Sequence, residues 1–327
     1  MTNRSRYVML GVTALALAAV AGSYTVRATH RQTTPAAGSV ARLDLAAPGQ
    51  IVFRDSRTGR VAAVPLSRPR GPRTVSGLAC ERVSVAAGTA VCLTQRPGAL
   101  DGFDAVLLDR RLRETRRVKA PGAPNRARLA ADGRRVAWTA FVTGHSYARS
   151  GFSTRTSILD LGAGRLYGDI ESLAIVRDGA RVHAPDVNLW GVTFVPGRDT
   201  FYASLATGGK TYLLRGDIGR WRATTLRTNA ECPSLSPGGG KLAFKKRISS
   251  GADRPWRLHV LDLATMTETP LPGTEGIDDQ AVWLDDGTVM YALPRPGGGS
   301  DVWAAAADGS TRPRLLIRDA SSPSVIR

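Results

Sequence analysis

A short pattern recurs along most of this 327-residue chain: a glycine-centred turn, then an alternating strand that carries an aromatic side chain. The turn glycines are Gly49, Gly88, Gly133, Gly197, Gly239 and Gly287. The aromatic follows four or five residues later as Phe53, Trp138, Tyr202, Phe244 or Tyr291, and the Gly88 unit has Cys92 and Leu93 instead. A strand-built repeat of roughly 40–50 residues is typical of propeller blades, each too small to bury its apolar face alone. The pattern predicts an all-β fold, a six-bladed β-propeller.

The two ends of the repeat are incomplete in complementary ways. Ile51-Val52-Phe53 matches the second strand of a blade, but no inner strand precedes it. Ser322-Pro323-Ser324-Val325 matches an inner strand, but no blade follows it. Pairing the two ends would remove an exposed strand edge and close the ring. We therefore predict that residues 49–327 form one propeller whose first blade is completed by the C-terminal strand.

The first residues have the features of an export signal. Arg4 and Arg6 precede an uncharged, largely apolar run of 18 residues, from Tyr7 to Tyr24, and Ala19-Val20-Ala21 offers a cleavage site. As a helix this run would reach about 27 Å, close to the thickness of a bilayer core. We predict that residues 1–25 are a removed signal peptide or a retained membrane anchor, that residues 26–48 are a flexible linker, and that the propeller is extracytoplasmic.

The net charge is +18, and arginine carries almost all of the positive charge because the chain has only five lysines. A basic extracytoplasmic surface can attract anionic lipid headgroups or an anionic polymer of the envelope. The alternative is an ordinary solvated surface. No nucleic-acid module is present, and export would separate the chain from nucleic acid, so nucleic acid is not an expected partner.

The three cysteines, Cys80, Cys92 and Cys232, lack the spacing of a metal site. Export permits a disulfide. Cys80 and Cys92 flank a predicted hairpin that turns at Gly88, so folding would bring them near each other. Either they form a disulfide or both are buried thiols, with Cys232 free.

Three segments resemble a known repeat. Pro233–Gly239, Leu258–Leu263 and Ala307-Asp308-Gly309 are similar to the WD40-like (PD40) repeat of the TolB-like family, and the chain resembles the exported TolB-like proteins of actinobacteria. The resemblance implies a six-bladed propeller and a role in protein interaction. It implies no catalytic residues, because the family has none to transfer.

Candidate binding residues are expected at one face of the ring, where the links into the inner strands meet the loops between second and third strands. They are Asn188, Trp190, Glu231, Lys245, Lys246, Asp278, Asp279 and Gln280. The carboxylates could bind a cation or a basic group, and the tryptophan could stack on a sugar or peptide. Alternatively, the carboxylates pair with nearby lysines and the tryptophan belongs to the core.

These observations favour a non-enzymatic binding or scaffold propeller, whose partner is a protein or peptide of the cell envelope. The alternative is a propeller enzyme of lactonase, lyase or cyclase type with a metal in the central channel. Such an enzyme needs several acidic, amide or imidazole side chains converging on the axis. We predict no catalytic residue and no cofactor, with a channel cation as the open alternative.

Overall fold

The computed structural model describes residues 43–96, 102–142, 153–251 and 254–327. These residues form six β-sheets, one for each predicted blade, and five of the sheets are wholly antiparallel. Blade 1 contains β1 (Gln50–Asp55), β2 (Arg60–Pro65) and β3 (Thr74–Ala79), and blade 2 contains β4 (Arg82–Ala86), β5 (Thr89–Gln95), β6 (Phe103–Leu108) and β7 (Glu114–Ala120). Blade 3 contains β8 (Ala123–Leu129), β9 (Arg135–Val142), β10 (Ser153–Asp160) and β11 (Leu166–Tyr167).

An insertion between blades 3 and 4 holds a 3-10 helix (Ile170–Ser172), β12 (Ala174–Arg177) and β13 (Ala180–Arg181). Blade 4 then contains β14 (Asn188–Phe194), β15 (Thr200–Thr207), β16 (Lys210–Asp217) and β17 (Arg222–Thr228). Blade 5 contains β18 (Glu231–Leu235), β19 (Lys241–Arg247), β20 (Trp256–Asp262) and β21 (Glu268–Pro270). Blade 6 contains β22 (Val282–Asp285), β23 (Thr288–Pro294), β24 (Ser300–Ala306) and β25 (Arg314–Ile317), and the chain ends in β26 (Ala320–Ile326).

The inner strands contact one another in the cyclic order β26, β4, β8, β14, β18, β22 and back to β26. The strand β26 pairs with β1, and Ile51 lies opposite Val325 while Val52 lies opposite Ser324. The predicted closure is therefore confirmed, and so is the six-bladed fold. The aromatic side chains of the repeat are buried between the blades, which accounts for their recurrence.

Buried hydroxyl groups connect neighbouring inner strands. The Oγ of Ser84 accepts a hydrogen bond from the backbone N–H of Leu129, one blade further on, at 3.0 Å. Thr193 accepts in the same way from Leu235 at 3.1 Å, and Ser324 from Val85 at 3.0 Å. Strands at the axis of different sheets cannot share a backbone ladder, so these side chains satisfy backbone donors that would otherwise be unpaired.

The insertion extends blade 4 beyond the expected four strands. The strand β12 pairs in parallel with β17, with Ala174 opposite Arg222, and β13 pairs with β12, which gives a six-stranded sheet. Asp169 caps the short helix by accepting a hydrogen bond from the N–H of Glu171.

Cys80 and Cys92 form a disulfide with a Cα–Cα distance of 5.4 Å, and the remaining thiol, Cys232, is buried and free. The disulfide joins the link after blade 1 to the second strand of blade 2.

The predicted signal or anchor, residues 1–25, lies outside the described residues, as does most of the predicted linker. The last part of that linker, residues 43–48, is described, and Leu43 and Leu45 are buried against blades 1 and 2. The folded body thus begins before residue 49. Among the described residues, no helix is long and apolar enough to cross a membrane.

Candidate functional site

Four of the predicted site residues meet at one mouth of the central channel. Glu231 begins inner strand β18, Lys245 lies on β19, and Asp278 and Asp279 lie in the link before β22. They are joined there by two arginines from the opposite side of the ring. We call this group the axial cluster: Arg82, Arg126, Glu231, Lys245, Asp278 and Asp279.

Lys245 is the most deeply buried charge of the axial cluster, with a side chain only 2% exposed. Its ammonium lies 2.6 Å from Oδ1 of Asp278, 3.8 Å from Oε2 of Glu231 and 4.4 Å from the centre of the Trp256 ring. Burial favours the neutral amine, but the neighbouring side chains of Cys232, Asp278 and Glu231 together raise the pKa of Lys245. Trp256 in turn donates its indole N–H to Glu231 at 3.2 Å.

Asp279 is held between two guanidinium groups. Its carboxylate lies 3.4 Å from Nη1 of Arg82 and 3.7 Å from Nη1 of Arg126. Arg126 also donates to the backbone carbonyl of Asp278 at 2.8 Å. Burial would raise the pKa of Asp279, but the two arginines lower it below the usual Asp value, so this carboxylate is ionised at neutral pH.

Gln280 occupies the axis next to this cluster and is 7% exposed. Its side-chain nitrogen lies 2.7 Å from the carbonyl of Pro233, 3.1 Å from that of Gly191 and 3.2 Å from that of Val192. The amide thus ties the link before blade 6 to the inner strands of blades 4 and 5. Gln280 is committed to internal hydrogen bonds and is not available to a ligand.

Little space remains at this mouth. A cavity of about 30 Å³ is enclosed there, lined in part by Arg82, Arg126, Asp279 and Gln280. Arg128 lies behind them and donates to the carbonyl of Ala281 at 2.8 Å. Burial lowers the pKa of Arg128 to about 10. Each carboxylate of the axial cluster therefore faces a cationic group, which is the arrangement of a salt-bridged structural mouth.

The predicted residues Asn188 and Trp190 line a separate, open feature on the same face. This inter-blade groove, between blades 4 and 5, has a volume of about 780 Å³. It is lined mainly by Asp186, Asn188, Trp190, Lys210, Asn229, Glu231, Arg247, Ile248 and Trp256. Its volume falls in the range of roughly 300–1,000 Å³ that is usual for ligand sites.

The walls of the groove are fixed by side-chain hydrogen bonds to the backbone. Asn229 donates to the carbonyl of Arg247 at 2.9 Å and accepts from its N–H at 2.8 Å. Asp186 accepts from the hydroxyl of Thr207 at 2.8 Å and from the N–H of Gly208 at 2.7 Å. These bonds, that of Thr207 above all, hold the pKa of Asp186 below its usual value.

Ligand-binding capacity in the groove comes from rings and charges of both signs. Trp190 and Trp256 supply aromatic faces, and the guanidinium of Arg247 lies 5.0 Å from the centre of the Trp256 ring. Within the described part of the chain, the exposed Lys210 has no side-chain partner. Glu231 belongs to both features, because it lines the groove and contacts Lys245.

Asn188 is buried, and its amide oxygen accepts a hydrogen bond from the N–H of Thr154 at 2.7 Å. It thus supports the groove wall. Lys246 does not join either feature, because consecutive residues of a strand point to opposite faces. Its ammonium lies 2.6 Å from Glu268, which also contacts Nδ1 of His259 at 2.7 Å.

The opposite end of the channel holds a second cavity, of about 570 Å³. All six inner strands contribute to its wall, and its lining is largely apolar, with Leu45, Phe194, Trp283 and Ile326 among the residues. Arg327 donates from this end to the carbonyls of Trp283 and Leu284. The sequence prediction placed function on the other face and did not foresee this cavity.

Sequence reasoning also missed Arg82, Arg126 and Arg128. They come from blades 2 and 3, whereas the groups that they contact precede blade 6: the carboxylates of Asp278 and Asp279, and the carbonyl of Ala281. The available signal was their position on or at the start of predicted inner strands, where a charged side chain must find a partner near the axis. In the described ranges, no group of three or more His, Cys, Asp or Glu side chains could hold a metal ion.

Comparisons with known proteins agree on the fold. No protein-family model matches the chain. The crystal structure of TolB from Acinetobacter baumannii superposes with a TM-score of 0.57 at 17% identity, covering 84% of this chain and 66% of that one, so the chain spans just under two thirds of the TolB structure. A chain of the nidogen–laminin complex superposes with a TM-score of 0.57 at 10% identity. The match covers 85% of this chain and 98% of that one.

A propeller enzyme is also similar in structure: the GH74 xyloglucanase from Xanthomonas campestris gives a TM-score of 0.51 at 11% identity, with coverage of 85% and 45%. At such identities the likeness concerns the fold alone. The fold is one on which binding proteins and enzymes are both built, so function must be argued from the side chains. The chain is a six-bladed β-propeller of TolB-like fold.

Proposed function

We propose that this chain is a non-enzymatic binding propeller that holds a peptide segment of a partner protein in the inter-blade groove. The observation that carries the proposal is the contrast at one face: the channel mouth is closed by paired charges, while the groove beside it is open and about 780 Å³ in volume. Tryptophan and arginine dominate the energetics of protein interfaces, and both line this groove.

The chemistry of the groove matches a peptide. Asp186 offers a fixed negative charge and Lys210 a positive one, with two indole rings between the same walls. A peptide supplies side chains of both signs and apolar contacts along one chain. The similarity to TolB and to a chain of the nidogen–laminin complex adds support, because both are propellers and the second is named for its complex with another protein.

The alternative, a propeller enzyme with a channel metal, has weaker support. The carboxylates that would ligate the metal, Glu231, Asp278 and Asp279, already contact Lys245, Arg82 or Arg126. A cation would have to displace these charged groups.

We also propose that the propeller works outside the cytoplasm, attached to the membrane by residues 1–25 or secreted, with a partner in the cell envelope. The Cys80–Cys92 disulfide supports this location, because disulfides persist in oxidising compartments. Fractionation of producing cells tests it: the protein should be found in the membrane or secreted fraction, and a cytosolic protein with reduced Cys80 and Cys92 would contradict it.

Site-specific photocrosslinking tests the groove. Ile248 lines the groove and is 43% exposed, and Met266 lies at a turn of the same blade and is 42% exposed, so they form a matched pair. A photoreactive residue at position 248, in the full chain in producing cells, should give a discrete adduct with a protein. The adduct should be absent at position 266 and weakened by Lys210→Glu. Equal adducts at both positions, or none at 248, would contradict the proposal.

A further inference from the structure

Eight arginines gather at the outer junction of blades 6 and 1. We call this surface the arginine rim: Arg57, Arg68, Arg70, Arg73, Arg295, Arg312, Arg314 and Arg318. They lie on or beside the outer strands and loops of these two blades, far from the inter-blade groove between blades 4 and 5.

Direct contacts join blade 1 to blade 6 at this surface. Arg70 donates to the carbonyl of Leu315 at 2.6 Å, and Arg73 donates to the carbonyl of Arg318 at 2.8 Å. Each contact spans 245 residues of sequence. The surface therefore exists only when the ring is closed by β26.

Three carboxylates, those of Asp55, Asp301 and Asp319, lie within this group and form ion pairs with Arg57, Arg73 and Arg295. Asp55 is 1% exposed and contacts Arg73 at 2.7 Å. Burial would raise the pKa of Asp55, but hydrogen bonds from Arg73 and from the backbone of Arg57 and Thr58 lower it. Asp319 contacts Arg57 at 3.7 Å and also Arg295, which lies 3.5 Å from Asp301. Eight arginines against three aspartates leave a net charge of +5.

The outer members have no such partners. Arg68, Arg312, Arg314 and Arg318 are exposed, and within the ranges that the structure describes none of their guanidinium groups contacts a carboxylate. Three of them belong to Arg-Pro-Arg segments, which are Arg68-Pro69-Arg70 and Arg312-Pro313-Arg314. Proline fixes its own φ and restricts the residue before it, so these arginines lose less freedom when they bind.

We propose that the arginine rim binds a linear polymer of phosphate groups. Guanidinium groups form charge-assisted, often bidentate hydrogen bonds with phosphate. The arginines approach from separate loops of two blades, and the tetrahedral oxygens of a phosphate can accept hydrogen bonds from guanidiniums that approach from different directions. A flexible polymer can follow the outer edge of the two blades and contact arginines along its length. A flat bilayer can contact only the arginines that protrude furthest.

This site is independent of the inter-blade groove and does not require the peptide partner. The test uses the full chain and end-labelled inorganic polyphosphate, with affinity measured by fluorescence anisotropy from 50 to about 200 mM salt. The rim variant combines Arg68→Gln, Arg312→Gln, Arg314→Gln and Arg318→Gln. The control variant removes the same charge through Arg111→Gln, Arg113→Gln, Arg198→Gln and Arg222→Gln, all exposed arginines of blades 2 and 4.

The rim variant should lose at least about tenfold in affinity, and the slope of log K against log salt should become shallower by roughly three. The control variant should lose less than about threefold, because it changes only the long-range field. If the rim variant misfolds, as judged by circular dichroism, the pair Arg314→Gln and Arg318→Gln takes its place.

Several outcomes would overturn the proposal. Equal losses in both variants would assign binding to net charge, and unchanged binding in the rim variant would exclude this surface. Rim-dependent binding of poly-glutamate as tight as that of polyphosphate would remove the preference for phosphate. Rim-dependent binding of phosphatidylglycerol vesicles without polyphosphate binding would assign the surface to a membrane.

Discussion

The axial cluster and the inter-blade groove lie on the same face of the ring and share Glu231, but they differ in what their charges contact. In the axial cluster, Asp279 has two arginines and Lys245 has two carboxylates. In the groove, Asp186 and Asn229 form hydrogen bonds with the backbone and so fix the walls. Lys210 is exposed to solvent. Charged residues at the mouth of a propeller therefore do not by themselves indicate a ligand site. Charged side chains that lack an ion-pair partner are the better indicator.

The difference has a physical cause. The axial residues come from blades 2, 3, 5 and 6 and are packed where the inner strands converge, so each buried charge must be neutralised locally. The groove opens between only two blades, where water reaches the side chains. A charge buried at the axis therefore requires an ion-pair partner, whereas a solvent-exposed charge in the groove does not.

Opening the ring should abolish both regions together. Removing residues 321–327 deprives β1 of one of its two partner strands and removes the hydroxyl of Ser324, which accepts a hydrogen bond from the N–H of Val85. A small domain has only about 5–15 kcal/mol of net stability, so we expect loss of cooperative thermal unfolding. Circular dichroism measures it, and Arg327→Ala, which removes only two hydrogen bonds, is the control. An unchanged transition in the truncated chain would mean that closure by β26 contributes little.

The next prediction separates the two regions. Asp279→Asn removes the shared partner of Arg82 and Arg126, and breaking a buried ion pair costs about 3 kcal/mol or more. Lys210→Gln in the groove should change the free energy of unfolding by less than about 0.5 kcal/mol. Urea denaturation measures both changes.

The same pair of variants has a pH signature. Because the pKa of Asp279 is lowered in the folded state, its stabilising effect is present above the usual Asp value of 3.8 and is lost as the pH falls through the folded pKa. The wild-type chain should therefore lose its advantage over Asp279→Asn below about pH 4. Similar stability for Asp279→Asn and Lys210→Gln would end the distinction between a structural mouth and a binding groove.

The sequence was sufficient to predict the six blades and the closure of the ring, but it did not predict the insertion before blade 4. The repeat of glycine turns and aromatic residues predicted the blades because each blade has the same tight turn and buries an apolar side chain at the same position against its neighbour. The closure was predictable since the half-blade missing before Ile51 reappears at Ser324. The insertion carrying β12 was not, because strands of two to four residues have too little alternation to detect.

The site could be predicted only in part for a related reason. Asp279 lies 197 positions from Arg82 and about 150 from Arg126, so only the closed ring brings them together. Lys245 and Lys246 are neighbours in sequence, yet strand alternation sends them to different partners. The sequence predicted that the acidic residues of the axial cluster lie near one another, while the pairing of Asp279 with Arg82 and Arg126 depended on the assembled ring.

The last expected effect concerns the groove wall at neutral pH. Glu171, in the insertion, accepts hydrogen bonds from the N–H of Thr156 at 3.0 Å and from the hydroxyl of Thr154 at 3.0 Å, and Thr154 also donates its N–H to Asn188. Burial raises the pKa of Glu171 to about 8. Between its usual value of 4.5 and about 8, the folded chain keeps a proton that the unfolded chain has lost, so stability falls as the pH rises through this window.

Glu171→Gln removes this titration while keeping a side-chain oxygen that can accept both hydrogen bonds. Relative to the wild-type chain, the variant should gain about 4 kcal/mol between pH 5 and pH 9, because each pH unit below the folded pKa of about 8 contributes about 1.4 kcal/mol. Urea denaturation at both pH values measures the gain. Glu81→Gln, at a side chain that is 54% exposed, should show no such gain. A change in peptide binding between pH 5 and pH 9 that is present in the wild-type chain and lost in Glu171→Gln would arise from the groove wall. A constant difference between Glu171→Gln and wild type at the two pH values would show that Glu171 is ionised in the folded chain and that the groove wall does not titrate.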